Sequence, residues 1–325
     1  MAQLVKLKDY VSRYEQNIIV YPSRFVRLKK QKWEGVKKLY QSNQLIKPRE
    51  TDFYEGEWEE EKPSFMTKIK GIIKKTKKET EAEELEIKQN QPMIAEEDAL
   101  AFEYTPNQYS EPKSLENLKL QFLNQLFKFQ LKWASSTLTE KSIVKKAFYY
   151  DDNLKYFLQR FPDTYLVFYQ PIFLIKNAPV ELDTIMITPT DVWLITMLEA
   201  EDSAVFVGSN EKFWIKKSKE KEKKILSPII SINRTEKVVK QLLKMQEVDI
   251  PIQKVILSRN GYIDFPTVPY DIKLIEKRNY QEWFEMMRTN RSPLKAIQLK
   301  TAESLMRYCL TTCARRYEWD VTEEK

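Results

Sequence analysis

The 325-residue sequence contains no histidine. Histidine is the usual general base near neutral pH and the commonest metal ligand. Its absence excludes serine–histidine and cysteine–histidine dyads, histidine-ligated zinc and histidine phosphotransfer. Chemistry, if there is any, falls to carboxylates, lysines, tyrosines and the two cysteines. Those two, Cys309 and Cys313, stand four apart in a segment with helical spacing. A helix holds such a pair poorly for a disulfide, and thiols persist reduced in the cytosol, so both are expected as small apolar residues. Long apolar runs are missing as well. No stretch approaches the roughly 18–20 residues of a membrane span, and the opening MAQLVKLKDYVSRYEQ is too charged for a secretory signal. A cytoplasmic location is expected. No internal repeat is present.

Hydrophobic residues make up 42% of the sequence and charged residues 31%, enough for a packed core. The net charge of +7 is unevenly spread. Residues 1–50 hold twelve Lys/Arg against four Asp/Glu, whereas residues 51–110 hold eight against fifteen. Such asymmetry serves either binding to an acidic partner or complementarity between two segments of one chain.

Apolar spacing predicts helices in the first forty residues, through Val11, Tyr14 and Ile18, then Phe25, Leu28, Trp33, Val36 and Leu39, with Ser23 as a cap. The acidic TDFYEGEWEEEKP reads as a linker. In PSFMTKIKGIIKKTKK, Phe65, Met66, Ile69, Ile72 and Ile73 share one helical face among six lysines. A basic amphipathic helix over Phe65–Lys78 suits an anionic membrane surface, a protein partner or the protein's own body. Leu115, Leu118, Phe122, Leu126, Phe129 and Trp133 predict an amphipathic helix, and a second is expected over about Thr139–Phe161. The period then becomes two. TYLVFY, PIFLI, VELDTIMIT, VWLITML, SAVFVG and KFWIKK form a meander of strands. A lysine-rich loop, a helix over SPIISINRTEKVVKQLLKMQ and an interior strand IQKVILS follow. The tail reads as helices at about Tyr280–Arg288 and Pro293–Tyr317, the latter capped by Ser292. This order indicates an α+β or α/β sandwich around one sheet.

The stretch from about Tyr149 to Phe265 resembles the NERD family, a bacterial nuclease-related domain with a PD-(D/E)xK-type core. The resemblance rests on the order of elements and on LDTIMITPTDVWLITML. There the family has an aspartate before one apolar strand, a short polar turn, and a second strand ending in Glu-x-Lys. The resemblance implies a mixed β-sheet flanked by helices, with helical N- and C-terminal extensions. The chain then divides into a basic helical segment (1–50), a charged linker with the amphipathic helix (51–112), the NERD-like domain (113–265) and a helical extension (266–325).

Two carboxylates on adjacent strands hold a divalent ion through oxygen, and the ion activates water and steadies charge on phosphate. A lysine two residues beyond the glutamate shares its side of the strand. Here Asp183 matches the aspartate, but the glutamate position falls on Thr196 and the lysine position on Leu198. The family's Asn-Pro-x-x-Gln corresponds to Ser227, Pro228 and Ser231, and its aromatic position to Trp214. Glu199 and Glu201 are candidates for a migrated carboxylate, although strand alternation turns both away from Thr196.

The resemblance therefore implies a catalytically inactive domain acting as a binding or scaffold module, for DNA or RNA. No cofactor is expected, and magnesium only if the nuclease site is retained. No small-molecule substrate is evident. The tail offers a basic surface of Arg288, Arg291, Lys295, Lys300, Arg307, Arg315 and Arg316, suited to a phosphate backbone. Arg24, Arg27, Lys29, Lys30 and Lys32 offer a second. The alternatives are an active metal-dependent nuclease with a migrated site, and a module that works at a membrane or protein surface.

Overall fold

The computed structural model of the protein describes residues 1–42, 102, 104–106, 112–199, 202–219, 221–290 and 292–315. The described residues of Met1–Trp33 and those from Pro112 onward belong to one compact unit. In chain order the described elements begin with strand β1 (Gln3–Leu7), helices α1 (Val20–Gln41) and α2 (Leu115–Trp133), strand β2 (Glu140–Lys141) and helix α3 (Asp152–Arg160). Strands β3 (Leu166–Tyr169), β4 (Ile172–Ile175), β5 (Ala178–Glu181), β6 (Thr184–Ile187), β7 (Val192–Met197), β8 (Val205–Val207), β9 (Phe213–Ser218) and β10 (Lys221–Leu226) follow. The rest are helix α4 (Pro228–Met245), strands β11 (Ile252–Leu257), β12 (Tyr262–Asp264) and β13 (Ile272–Ile275), helices α5 (Tyr280–Thr289) and α6 (Ala296–Met306), and strand β14 (Ala314–Arg315).

The central sheet has six strands in the order β1-β3-β6-β7-β11-β13. It is mixed: β3, β6 and β7 run antiparallel, while β1 lies parallel to β3, and β11 lies parallel to both β7 and β13. Period-two apolar sequence and the short turn between β6 and β7 give the expected hairpin. Thr188 holds that turn, its N–H donating to Asp191 O at 2.8 Å and its Oγ1 accepting from Asp191 N at 3.0 Å. Strand β11 is interior, as its nearly unbroken apolar sequence implies, and Val255, Ile256 and Leu257 are fully buried. Helix α4 packs on β7 and β11 through Ile232, Val239, Leu242 and Leu243, each contributing about 1.5–3 kcal/mol by leaving water. Pro228 stands in its first turn, where a missing N–H costs nothing. A smaller sheet has the strand order β10-β9-β8-β12. A side chain at Gly208 would meet Phe265 at 2.7 Å, so only glycine allows Trp214 and Phe265 to close that sheet's core.

The chain ends carry helices where apolar spacing predicts them, α1, α5 and α6, but also strands that it does not predict. The N-terminus supplies β1, an all-buried strand at the edge of the central sheet. Lys6 makes QLVKL look too polar for this, but its ammonium is buried against Glu15 and donates to Thr311 Oγ1 at 2.7 Å. Helix α1 starts at Val20 rather than after Ser23, because Asn17 Oδ1 accepts from the Ile19 and Val20 amides at 3.1 and 3.0 Å. The helix expected over Thr139–Phe161 shrinks to α3, where Asp151 Oδ1 caps the Asn153 and Leu154 amides. Residues 266–325 give the other edge strand, β13, and α6 stops at Met306. Beyond it the chain is extended and bridges Phe173, Tyr10 and β2. Cys309 and Cys313 lie on this extended stretch, not on a helix, and both are free thiols. Burial pushes Cys309 up to about 12, so it carries no thiolate at neutral pH. No helix among the described residues is long and apolar enough to cross a membrane.

Candidate functional site

Antiparallel pairing places Thr184 opposite Ile195, so Asp183, one residue earlier, stands opposite Thr196. Both face α4, together with Leu194 and, on β11, Lys254 and Ile256. Asp183 is half-buried at the mouth of a cleft of about 620 Å³ that includes Gln170, Glu181, Ser231 and Arg234. Two hydroxyls from successive turns of α4 donate to its Oδ2, Ser231 at 2.7 Å and Thr235 at 3.1 Å. The Asp183 amide in turn donates to Thr235 Oγ1 at 3.1 Å. Burial raises the Asp183 pKa above the ordinary carboxylate range, and the hydroxyls of Ser231, Thr196 and Thr235, with the Arg234 guanidinium, only partly offset this. Thr196 Oγ1 is buried and makes no hydrogen bond of ordinary geometry.

Helix α4 thus completes the site. Ser231, which the resemblance aligns with the family's glutamine, reaches the carboxylate. Sequence reasoning missed Thr235, although its four-residue spacing from Ser231 puts both on one helix face. Trp214 is fully buried, donating from Nε1 to Ser209 O at 2.9 Å.

Lys254 is a cation on the Asp183 face that sequence reasoning also missed. Its ammonium lies against Asp271, Glu236 at 2.8 Å and Asn233 Oδ1 at 2.9 Å. Burial alone would lower its pKa, but these partners overcome it and the net direction is upward. With 5% of its side chain exposed, Lys254 is committed to its carboxylates and does not present a charge to phosphate.

Glu199 lies on the other side of the sheet. Arg259 grips it, with a second contact from Nη2 to Oε2 at 2.6 Å, and the same guanidinium donates to Asn153 Oδ1 at 2.8 Å. It also lies 4.1 Å from the centre of the Tyr156 ring, within an aromatic cluster of α3 and α5 that includes Phe161, Tyr280 and Phe284. Glu201 lies outside the described residues.

The side chains around Asp183 do not fit magnesium. Its Oδ2 accepts from two hydroxyl donors, and Thr196, the residue opposite it on β7, is neutral. Glu181, the other carboxylate of the cleft, is paired with Lys8 at 2.8 Å. Among the described residues no three cysteine, aspartate or glutamate side chains converge as metal ligands.

The basic tail residues are spread over several elements. Arg288 stands in the last turn of α5 over the Phe284 ring at 5.1 Å, Lys295 precedes α6, and Lys300 donates to Glu247 O at 3.3 Å. Arg307 pairs with Glu303 at 2.7 Å, and Arg315 is exposed on β14 opposite Glu140. Lys300 and Arg307 share a helical face; Lys295 is turned away from Lys300 by about 140° at 100° per residue. Arg291, Arg316 and the segment Phe65–Lys78 lie outside the described residues. In the N-terminal group Lys29 is paired with Asp163, and Arg24 lies over Tyr21 at 5.6 Å.

Residues 148–258, about a third of the chain, match the family model of the nuclease-related domain, NERD. The match runs from just before α3 to the end of β11 and encloses Asp183, Thr196, Leu198 and Ser231. Among curated proteins, an RNA 2',3'-cyclic phosphodiesterase of Geobacillus stearothermophilus is 31% identical over 136 residues. That stretch is 40% of this chain and 36% of the relative, so the chain spans little more than a third of the relative's length. No solved structure matches.

Proposed function

We propose that this nuclease-related domain has lost metal-dependent cleavage and works as a binding module for nucleic acid, in the cytoplasm. The observation that carries the reading is the setting of Asp183. The carboxylate faces Thr196 rather than glutamate, Leu198 takes the place of the lysine, and two neutral hydroxyls of α4 donate to its Oδ2. A lone carboxylate holds magnesium too weakly to position it, because the ion sheds its water shell reluctantly. The basic surfaces support binding without cleavage. Lysines and arginines that neutralise phosphates release counterions, so affinity falls steeply with salt.

The test is incubation of the purified chain with plasmid, single-stranded DNA and RNA in magnesium or manganese. No product is expected, alongside salt-sensitive binding of the same nucleic acids. Cleavage that copurifies with the protein and disappears in Asp183→Ala overturns the reading.

The relative's name favours a second reading, a phosphodiesterase acting on RNA ends that carry a 2',3'-cyclic phosphate. Including such an RNA in the incubation decides between them, and loss of turnover in Glu199→Gln would point to a migrated carboxylate. Sedimentation with anionic liposomes tests the remaining proposal, a membrane or protein contact through Phe65–Lys78.

A further inference from the structure

The hairpin of β9 and β10 carries the densest positive charge of the NERD-matching segment, with seven lysines and two glutamates between Lys212 and Lys224. Strand β10 is the edge of the smaller sheet. Cross-strand register pairs Phe213 with Leu226, Ile215 with Lys224 and Lys217 with Glu222, so these six share one face. Trp214 is on the opposite face and fully buried, which makes the first face the outward one. There Phe213 is 48% exposed and Leu226 52%, an apolar platform in open solvent. The Lys212 ammonium lies 5.6 Å from the centre of the Phe213 ring. Among the described residues, Lys212, Lys219, Lys221, Lys223 and Lys224 make no ion pair with an acid.

Lysines on an edge strand also discourage edge-to-edge pairing. That role accounts for Lys221, Lys223 and Lys224 on β10. It does not account for Lys212 before β9, nor for an aromatic ring left half-exposed, which works against solubility. An exposed ring flanked by cations is the arrangement that receives an unpaired base together with its phosphates.

We propose that the outward face of this hairpin is a binding surface for single-stranded nucleic acid, with a base stacked on Phe213 beside Leu226 and backbone phosphates at Lys212 and Lys224. The proposal rests on the nucleic-acid reading above and moves the contact from the tail to the smaller sheet. Because Ser227 alone separates β10 from α4, a strand held there lies on the segment that leads directly to Ser231 and the Asp183 cleft.

The experiment is fluorescence anisotropy of the full chain with labelled single-stranded oligonucleotides of mixed sequence at low salt. Phe213→Ala should weaken binding roughly tenfold or more, and Phe213→Trp should retain it. Lys212→Gln with Lys224→Gln should weaken binding and make the slope of log affinity against log salt shallower by about 1.4, at roughly 0.7 for each phosphate no longer neutralised. Photo-cross-linking of a 4-thiouridine RNA to the wild-type chain should mark the Phe213 peptide, a readout independent of any variant's folding. Wild-type binding that is unchanged in these hairpin variants, or abolished instead in Arg315→Glu, overturns the hairpin and leaves the nucleic-acid reading standing. No wild-type binding at low salt removes that reading itself. Sedimentation with phosphatidylserine vesicles in the absence of oligonucleotide binding overturns the proposal in favour of lipid. Equal affinity of wild type and Phe213→Ala removes the stacking platform.

Discussion

The two faces of the central sheet carry one candidate carboxylate each, and they treat it in opposite ways. On the α4 side Asp183 meets hydroxyls, stays half-buried at an open cleft and has its pKa raised. On the α3 and α5 side Glu199 is locked to Arg259, whose guanidinium lies over the Tyr156 ring. Three positions in sequence separate Thr196 from Glu199, yet alternation along β7 places their side chains in different environments. A catalytic carboxylate cannot migrate along a strand by an odd number of residues without also crossing the sheet.

The largest expected effect comes from the sealed face. Glu199→Ala strands a guanidinium that is 23% exposed, and leaving a largely buried charge unpaired should cost about 2–4 kcal/mol in denaturant unfolding. A loss under about 0.5 kcal/mol would mean that Arg259 finds other partners, and the contrast between the faces would weaken.

An intermediate effect is expected on the open face. Thr196→Glu with Leu198→Lys puts a second carboxylate opposite Asp183. Without metal the like charges should lower stability by about 1–3 kcal/mol, and magnesium or manganese should restore it by binding the folded state. Wild-type thermal stability should not respond to either ion. Absence of any metal response in a folded variant would break the register on which the Thr196 assignment depends.

The smallest effect concerns Asp183 itself. Its folded pKa lies above the unfolded value, so the native state binds the proton more tightly, and stability falls as pH rises through the folded pKa. Asp183→Asn removes the ionisation while keeping an acceptor for Ser231 and Thr235. The variant should be slightly more stable than wild type at pH 7, with the advantage gone below the ordinary carboxylate range. A variant that is less stable at pH 7 would show that the charge, not the burial, dominates the site.

The hairpin around Asp183 was legible because two period-two runs flank a four-residue turn, and a turn that short permits only antiparallel neighbours. The interior place of β11 was legible from its composition. The contribution of α4 was not, because hydroxyls on a helix look like ordinary surface residues until the sheet they face is known. At the chain ends the helices were legible, α5 almost to the residue, but the strands were not, for a related reason. Val11, Tyr14 and Ile18 are all buried, but they line a loop and a short 3-10 turn rather than a helix. Gln3–Leu7 has too few residues for its period to stand out. A buried lysine is invisible to patterning when its partners are Glu15 and, some three hundred residues later, Thr311.

That lysine has a consequence in time. Strand β1 pairs with β3, so Gln3–Leu7 leaves the ribosome long before its partner Leu166–Tyr169 exists. At roughly 5–20 residues per second, synthesis of the intervening chain takes on the order of ten seconds. Throughout that wait an apolar strand has no sheet to join, and a lysine within it works against pairing with other nascent chains. The same ammonium is afterwards folded away against Glu15 and Thr311, a solubilising group during synthesis and an anchor once the edge has closed.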